Sequence, residues 1–243
     1  MSSRGDTASG SGAQLDPASL AASIDSTLLS PTTGLAAAAA WLAQQRPQGF
    51  AAVVVAPFVV PLAAELMAGG STAVCSVAGF PLGYAATESK AEEARRLVEL
   101  GCREVDVVMN VAAFLEGEHD LVRGDVAAVV MAVTAASSGL GLVKVILETG
   151  YLAERDVPVA CRLAEEAGAA FVKTSTGFGP RGAGVADVRA MREAVGRRLG
   201  VKAAGGIRDL SSALAMIEAG ADRLGTSAAT SILEEARAQA GRT

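Results

Sequence analysis

Residues 87–110 read TESKAEEARRLVELGCREVDVVMN, and the fold is decided in this stretch. Its first half sets Ala91, Ala94, Leu97 and Val98 at three- and four-residue spacing with charges between them. That pattern predicts an amphipathic helix over 87–100, with Lys90 on its exposed face. Gly101 comes next, where a glycine can adopt the left-handed conformation that ends a helix. The run 103–110 (REVDVVMN) then reads as a largely apolar, valine-rich strand.

The same unit recurs in both directions along the chain. Val98-Glu99-Leu100-Gly101, Glu165-Glu166-Ala167-Gly168 and Ile217-Glu218-Ala219-Gly220 are similar helix ends, each placed before a strand. Strands are expected at 23–29, 50–56, 72–79, 103–110, 142–149, 171–176, 201–206 and 222–227. Helices are expected near 33–45, 58–68, 87–100, 118–137, 153–167, 184–198, 209–219 and 228–240. Eight strand-then-helix units at roughly 25-residue spacing predict an α/β fold, a single (β/α)8 TIM barrel. The competing architecture, an open doubly wound sheet, is disfavoured because no Gly-x-Gly-x-x-Gly follows the first strand. Residues 1–14, rich in Ser and Gly, read as a flexible tail, and the barrel takes 15–243. Asp16-Pro17 supplies an N-cap and a first-turn proline for a short helix over 16–22.

Composition excludes several functions. The chain has 243 residues, a net charge of −5 and 51% hydrophobic residues, so it has ample material for a core and no basic footprint for nucleic acid. A single histidine, His119, in a polar helix start, leaves no multi-histidine metal site and no histidine triad. Cys75, Cys102 and Cys161 are odd in number and lie in apolar surroundings, which fits buried thiols in a reducing cytoplasm. No apolar run approaches the roughly 18 residues of a membrane span, and the polar N-terminus lacks a signal-peptide core.

In a barrel, chemistry comes from polar residues at the C-terminal ends of the strands. Asp25 and Thr27, Asp106 and Asn110, Lys144 and Glu148, Lys173 to Thr176, and Lys202 are such residues. The lysines carry most of the signal. Of 21 basic residues only four are lysine, and three of these fall in strands. Lysine can lose its proton when desolvated or beside another cation, and arginine cannot; a neutral amine is the nucleophile that forms a Schiff base with a carbonyl. Lys144 opens its strand and reads more simply as the partner of a neighbouring carboxylate. Lys173 precedes Thr174-Ser175-Thr176-Gly177, and Lys202 opens Lys-Ala-Ala-Gly-Gly. Amines on adjacent strands would depress each other's proton affinity. Asp106, mid-strand, is either a structural ion pair or a proton-transfer group beside the lysines. Gly205-Gly206 after strand 7 and Gly225-Thr226-Ser227 at strand 8, with Arg208 nearby, fit the phosphate site of such barrels.

These residues match a known family. The chain resembles the deoxyribose-phosphate aldolases, class I aldolases, from about Leu15 to Ala229. The resemblance rests on Gly79-Phe80-Pro81-Leu82-Gly83, residues 104–110 (EVDVVMN), 144–149 (KVILET), 171–178 (FVKTSTGF) and 201–208 (VKAAGGIR), in order and at the family's separations. It implies a (β/α)8 barrel that reversibly cleaves 2-deoxy-D-ribose 5-phosphate to acetaldehyde and D-glyceraldehyde 3-phosphate with no cofactor. It implies Lys173 as the Schiff-base lysine, with Asp106 and Lys202 as its proton relay. Phosphate would fall to Gly205, Gly206, Gly225 and Ser227, and the sugar chain to Thr27, Thr176 and Gly177. The partners it implies are small sugar phosphates and aldehydes, with monomers or homodimers as the assembly.

Three departures from the family pattern stand out. The first strand reads Ile24-Asp25-Ser26-Thr27 where the family has Ile-Asp-His-Thr. The second reads Val53-Val54-Val55-Ala56-Pro57 in place of Val-Cys-Val-Asn-Pro, and the chain ends without the tyrosine that terminates some relatives. The first two put the substrate at issue, so the alternatives are a family member specialised for another aldehyde or sugar phosphate and a non-catalytic phosphosugar-binding barrel.

Overall fold

The computed structural model describes residues 16–242, so the expected tail at 1–14 lies outside the described residues. Helix α1 (Pro17–Ala21) starts as expected: Asp16 caps it by accepting from the Ser19 amide at 3.0 Å, with Pro17 in its first turn. The strands are β1 (Ile24–Leu28), β2 (Ala52–Val55), β3 (Ala73–Ala78), β4 (Glu104–Val108), β5 (Leu142–Ile146), β6 (Phe171–Lys173), β7 (Gly200–Ala204) and β8 (Arg223–Thr226). All pair in parallel in chain order, and β8 closes on β1 to complete the barrel.

Around the barrel run α2 (Leu35–Gln45), α3 (Val60–Met67), α4 (Thr87–Glu99), α5 (Val111–Leu115), α6 (His119–Ala136), α7 (Val157–Glu166), α8 (Val185–Val195), α9 (Leu210–Glu218) and α10 (Ala229–Ala240). The short α5 is an addition to the expected pattern. Asn110, at the end of its strand, is its N-cap, with its side-chain oxygen accepting from the Ala113 amide at 3.1 Å. Gly101, Gly168 and Gly220 all hold the expected left-handed conformation. His119 is exposed in the first turn of α6, its ring stacked on Phe114.

The alternation of side chains along each strand creates two cores. Outward residues such as Ile24, Val53, Val105, Val107, Val145, Val172, Val201 and Leu224 pack against the helices in one large cluster. A smaller cluster of Ala52, Val54, Ala73, Cys75 and Val77 belongs to the inner face of β2 and β3. The inner faces of β1 and β4 to β8 instead carry charges: Asp25, Glu104, Asp106, Lys144, Lys173, Lys202 and Arg223.

Lys90 corrects the sequence reading. It is fully buried, donating to Asp125 Oδ2 of α6 at 2.6 Å and to the Val108 carbonyl at 2.9 Å. The reason is visible in the spacing: Lys90, Ala94 and Leu97 form one stripe of α4, the face that packs on α6. Its methylenes pass beneath Gly79, where a Cβ would sit 3.0 Å from Lys90 Cδ.

Candidate active site

The C-terminal mouth of the barrel holds a cleft of about 350 Å³. Thr27, Lys173, Thr176, Gly177, Gly205, Gly206, Gly225 and Ser227 all line it, with Arg208 and Phe178. The larger depressions of about 670 and 750 Å³ involve the outer helices and hold no strand-end lysine. Asp106 and Lys202 do not line the cleft; both are fully buried, joined to Lys173 through the Asp106 carboxylate.

Register brings these groups together. Lys173 pairs with Lys202 across β6 and β7, and Asp106 with Lys144 across β4 and β5. Asp106 Oδ2 accepts from Lys173 Nζ at 2.8 Å and from Lys202 Nζ at 2.7 Å. Its Oδ1 accepts from Lys144 Nζ at 2.9 Å. Lys202 also meets Asp25 Oδ2 at 2.5 Å, and Lys144 meets Glu104 Oε2 at 2.6 Å. Arg223 bridges Asp25 Oδ1 at 2.7 Å and Glu104 Oε2 at 2.8 Å. Of the barrel lysines, only Lys173 opens on the cleft.

The electrostatics separate these lysines. Burial lowers the proton affinity of Lys173; Asp106 opposes this and Lys202 adds to it, leaving the amine below the ordinary value of 10.5. Burial acts the same way on Lys202, but Asp106 and Asp25 outweigh it and hold that ammonium above 10.5. Lys144 is raised further, since Asp106, Asp25 and Glu104 together overcome its burial. Burial would raise Asp106, but Lys144, Lys173 and Lys202 hold it well below 3.8. An amine that gives up its proton readily, on the wall of a cleft and against a fixed carboxylate, can add to a carbonyl.

The glycine-rich side of the cleft is built from close approaches. Gly205 and Gly206 have φ of +89° and +81°, a region that side chains disfavour. A Cβ on Gly206 would meet nothing within 4 Å, so its backbone is open. Gly225 has a further reason to be glycine: a Cβ there would fall 3.1 Å from Lys202 Cε. The loop after β6 is anchored by Glu148, whose carboxylate accepts from both the amide and the hydroxyl of Thr176. Glu148 does this from a left-handed backbone conformation, φ +52°.

The model of the DeoC/LacD family of aldolases matches residues 22–234. The chain belongs to this family. A deoxyribose-phosphate aldolase 1 from Bacillus licheniformis is 49% identical over 215 residues, 88% of this chain and 95% of that protein. A deoxyribose-phosphate aldolase from Thermococcus gammatolerans is 53% identical over 191 residues, 78% of this chain and 84% of that one. The solved deoxyribose phosphate aldolase of Aeropyrum pernix, described as a unique tetramer, superposes with a TM-score of 0.85 at 33% identity, covering 93% of this chain and 94% of that one.

Within this aldolase the departures in sequence take on a location. Ser26 points away from the cleft: its hydroxyl donates to Gln45 Oε1 of α2 at 3.0 Å, and it is buried outside the barrel. It therefore gives no ground for a changed substrate. Val54 is an inward residue paired with Cys75, so a thiol remains inside the barrel, one strand over. The sequence reading missed Glu104 and Arg223. The available signal was period-two spacing: Glu104 shares a strand face with Asp106, and Arg223 with Gly225. No helix among the described residues is long and apolar enough to cross a membrane.

Proposed function

We propose that the protein is a class I aldolase that reversibly cleaves 2-deoxy-D-ribose 5-phosphate to acetaldehyde and D-glyceraldehyde 3-phosphate through an imine on Lys173. The observation that carries this reading is the contrast between two lysines sharing Asp106 Oδ2: Lys173 lines the cleft with lowered proton affinity, and Lys202 lies buried with raised affinity. The substrate follows from the names of the relatives.

Neutral Lys173 adds its lone pair to the aldehyde carbon, and the carbinolamine loses water to give an iminium. That cation accepts the electron pair of the bond between the second and third sugar carbons, while the hydroxyl on the third carbon gives up its proton. Glyceraldehyde 3-phosphate leaves. The remaining enamine is protonated and hydrolysed to acetaldehyde, regenerating the amine. Asp106 takes and returns protons at Lys173 Nζ, and the Lys202 ammonium favours the neutral amine. The backbone of Gly205 and Gly206, with Ser227 and Arg208, receives the phosphate and fixes the reacting end. Buried free thiols fit a reducing cytoplasm, and the tetramer of the Aeropyrum relative makes self-association the expected state.

Reduction with cyanoborohydride in the presence of acetaldehyde tests the reading. An ethyl adduct on the Lys173 peptide is expected, and Lys173→Leu should abolish it. No adduct in the unaltered protein, or an undiminished adduct in the variant, overturns the assignment. A purely phosphosugar-binding barrel would form none.

A further inference from the structure

Seven charged side chains meet inside the barrel, and their signs do not balance. Lys144, Lys173, Lys202 and Arg223 are cationic; Asp25, Glu104 and Asp106 are anionic. They come from β1 and from β4 to β8. The other two strands add no charge: β3 presents Cys75, whose thiol is held neutral by burial and by Asp106, and β2 presents Ala52 and Val54. On the cleft side Glu148 is turned to Thr176, and Arg208 lines the cleft. Protonated Lys173 thus gives the set one excess positive charge, and neutral Lys173 balances it. Excess charge in a dry interior is costly. Lys173 is the member whose proton can leave through the cleft.

We propose that Glu104 and Arg223 are positioning residues that set the protonation of Lys173 through this balance, acting from the end of the barrel opposite the cleft. Each is the first residue of its strand, and neither lines the cleft. Their connection is continuous. Arg223 Nη2 donates to Glu104 Oε1 at 3.0 Å and Oε2 at 2.8 Å, and Glu104 Oε2 meets Lys144 Nζ at 2.6 Å. Lys144 donates to Asp106, which holds Lys173. The inference rests on Lys173 as the imine-forming residue and extends to the bound intermediate. The iminium restores the excess positive charge. Cleavage, which moves the electron pair of the broken carbon–carbon bond towards nitrogen, removes it. The charge set therefore favours the enamine over the iminium.

The test is the pH dependence of acetaldehyde trapping by cyanoborohydride, read by mass on the Lys173 peptide. Trapping should rise with pH as Lys173 loses its proton. Glu104→Gln removes an anion and should move the midpoint down by about half to one pH unit. Arg223→Gln removes a cation and should move it up by about as much. The double variant should return to the unaltered midpoint, and Arg223→Lys, which keeps the charge and loses the fork, should leave it unchanged. Shifts of the same sign in both single variants, or no shift in either, overturn the proposal, as does an Arg223→Lys shift equal to that of Arg223→Gln. If one single variant does not fold, the other is read against the double variant and Arg223→Lys. Absence of any adduct on Lys173 in the unaltered protein refutes the imine assignment itself, a separate outcome.

Discussion

Gly182→Ala separates phosphate recognition from imine chemistry. A Cβ at position 182 would lie 2.3 Å from the Gly205 carbonyl oxygen and 2.5 Å from its carbon. The obstruction is backbone, so no side-chain rotation relieves it. Normal C···O contact is about 3.3 Å, so the two segments must part by about 1 Å. The hydrogen bond from the Ala183 amide to that same carbonyl, 3.0 Å, is strained with them. The moved segment carries the Gly205 and Gly206 amides that face the expected phosphate. Misplacing the charge-assisted bonds they make should cost roughly 2–3 kcal/mol, a loss of roughly 30- to 150-fold in kcat/KM. The assay compares 2-deoxyribose 5-phosphate with unphosphorylated 2-deoxyribose, alongside acetaldehyde trapping on Lys173. The loss should fall on the phosphorylated sugar, with trapping and the unphosphorylated reaction little changed. Equal losses on both sugars, or none on either, would refute the reasoning. Overpacking should also lower stability by about 1–3 kcal/mol, which a thermal melt measures.

Three further outcomes are expected. Lys90→Met leaves Asp125 buried without its cation and should destabilise the fold by about 3–5 kcal/mol in urea unfolding, with Asp125→Asn added to Lys90→Met recovering part of the loss. Ser26→Ala removes the bond to Gln45 and should cost about 1 kcal/mol in the same assay while leaving kcat/KM for every sugar unchanged; altered substrate preference would put Ser26 back in the site. Asp25 and Asp106 are held below their ordinary 3.8, so they contribute stability above that pH and lose it as pH falls through their folded values; Lys144 and Lys202, held above 10.5, contribute below 10.5 and lose that stability as pH rises through theirs. Urea midpoints should therefore fall on both sides of a plateau, and Asp106→Asn should flatten the acid slope.

The architecture was legible because its signals are local. A helix stripe, a closing glycine and a valine-rich strand lie within 24 consecutive residues at 87–110, and repetition carried the reading around the barrel. Lys173, Lys202 and Asp106 were legible because charge is costly in such strands. Lys90 was misread because the charge of its ammonium outweighed its place on the Ala94–Leu97 stripe; Asp125, which makes burial tolerable, is 35 residues away. Arg223 and Glu104 are 119 positions apart, so only barrel closure makes them partners. Ser26 was misread for a related reason: a departure from a motif has no face until the pleat assigns one, and the pleat turns it outward.

The distribution of charge within the barrel is itself an argument for function. The inner faces of β2 and β3 show that this scaffold can fill its interior with Ala, Val and Cys. Buried ion pairs are often no more stabilising than apolar side chains of the same volume, because desolvation offsets their attraction. Seven interior charges on the other six strands therefore gain nothing for the fold that valines would not supply. What valines cannot supply is an amine that gives up its proton more readily than an ordinary lysine and carries positive charge again when an imine forms. That requires a fixed ammonium beside it, a carboxylate shared between the two, and further charges to keep both ionised. Lys202, Asp106, Asp25, Lys144, Glu104 and Arg223 meet that requirement in connected order. The charged portion of the barrel is thus the part of the structure least explained by stability and most fully explained by the reactivity proposed for Lys173.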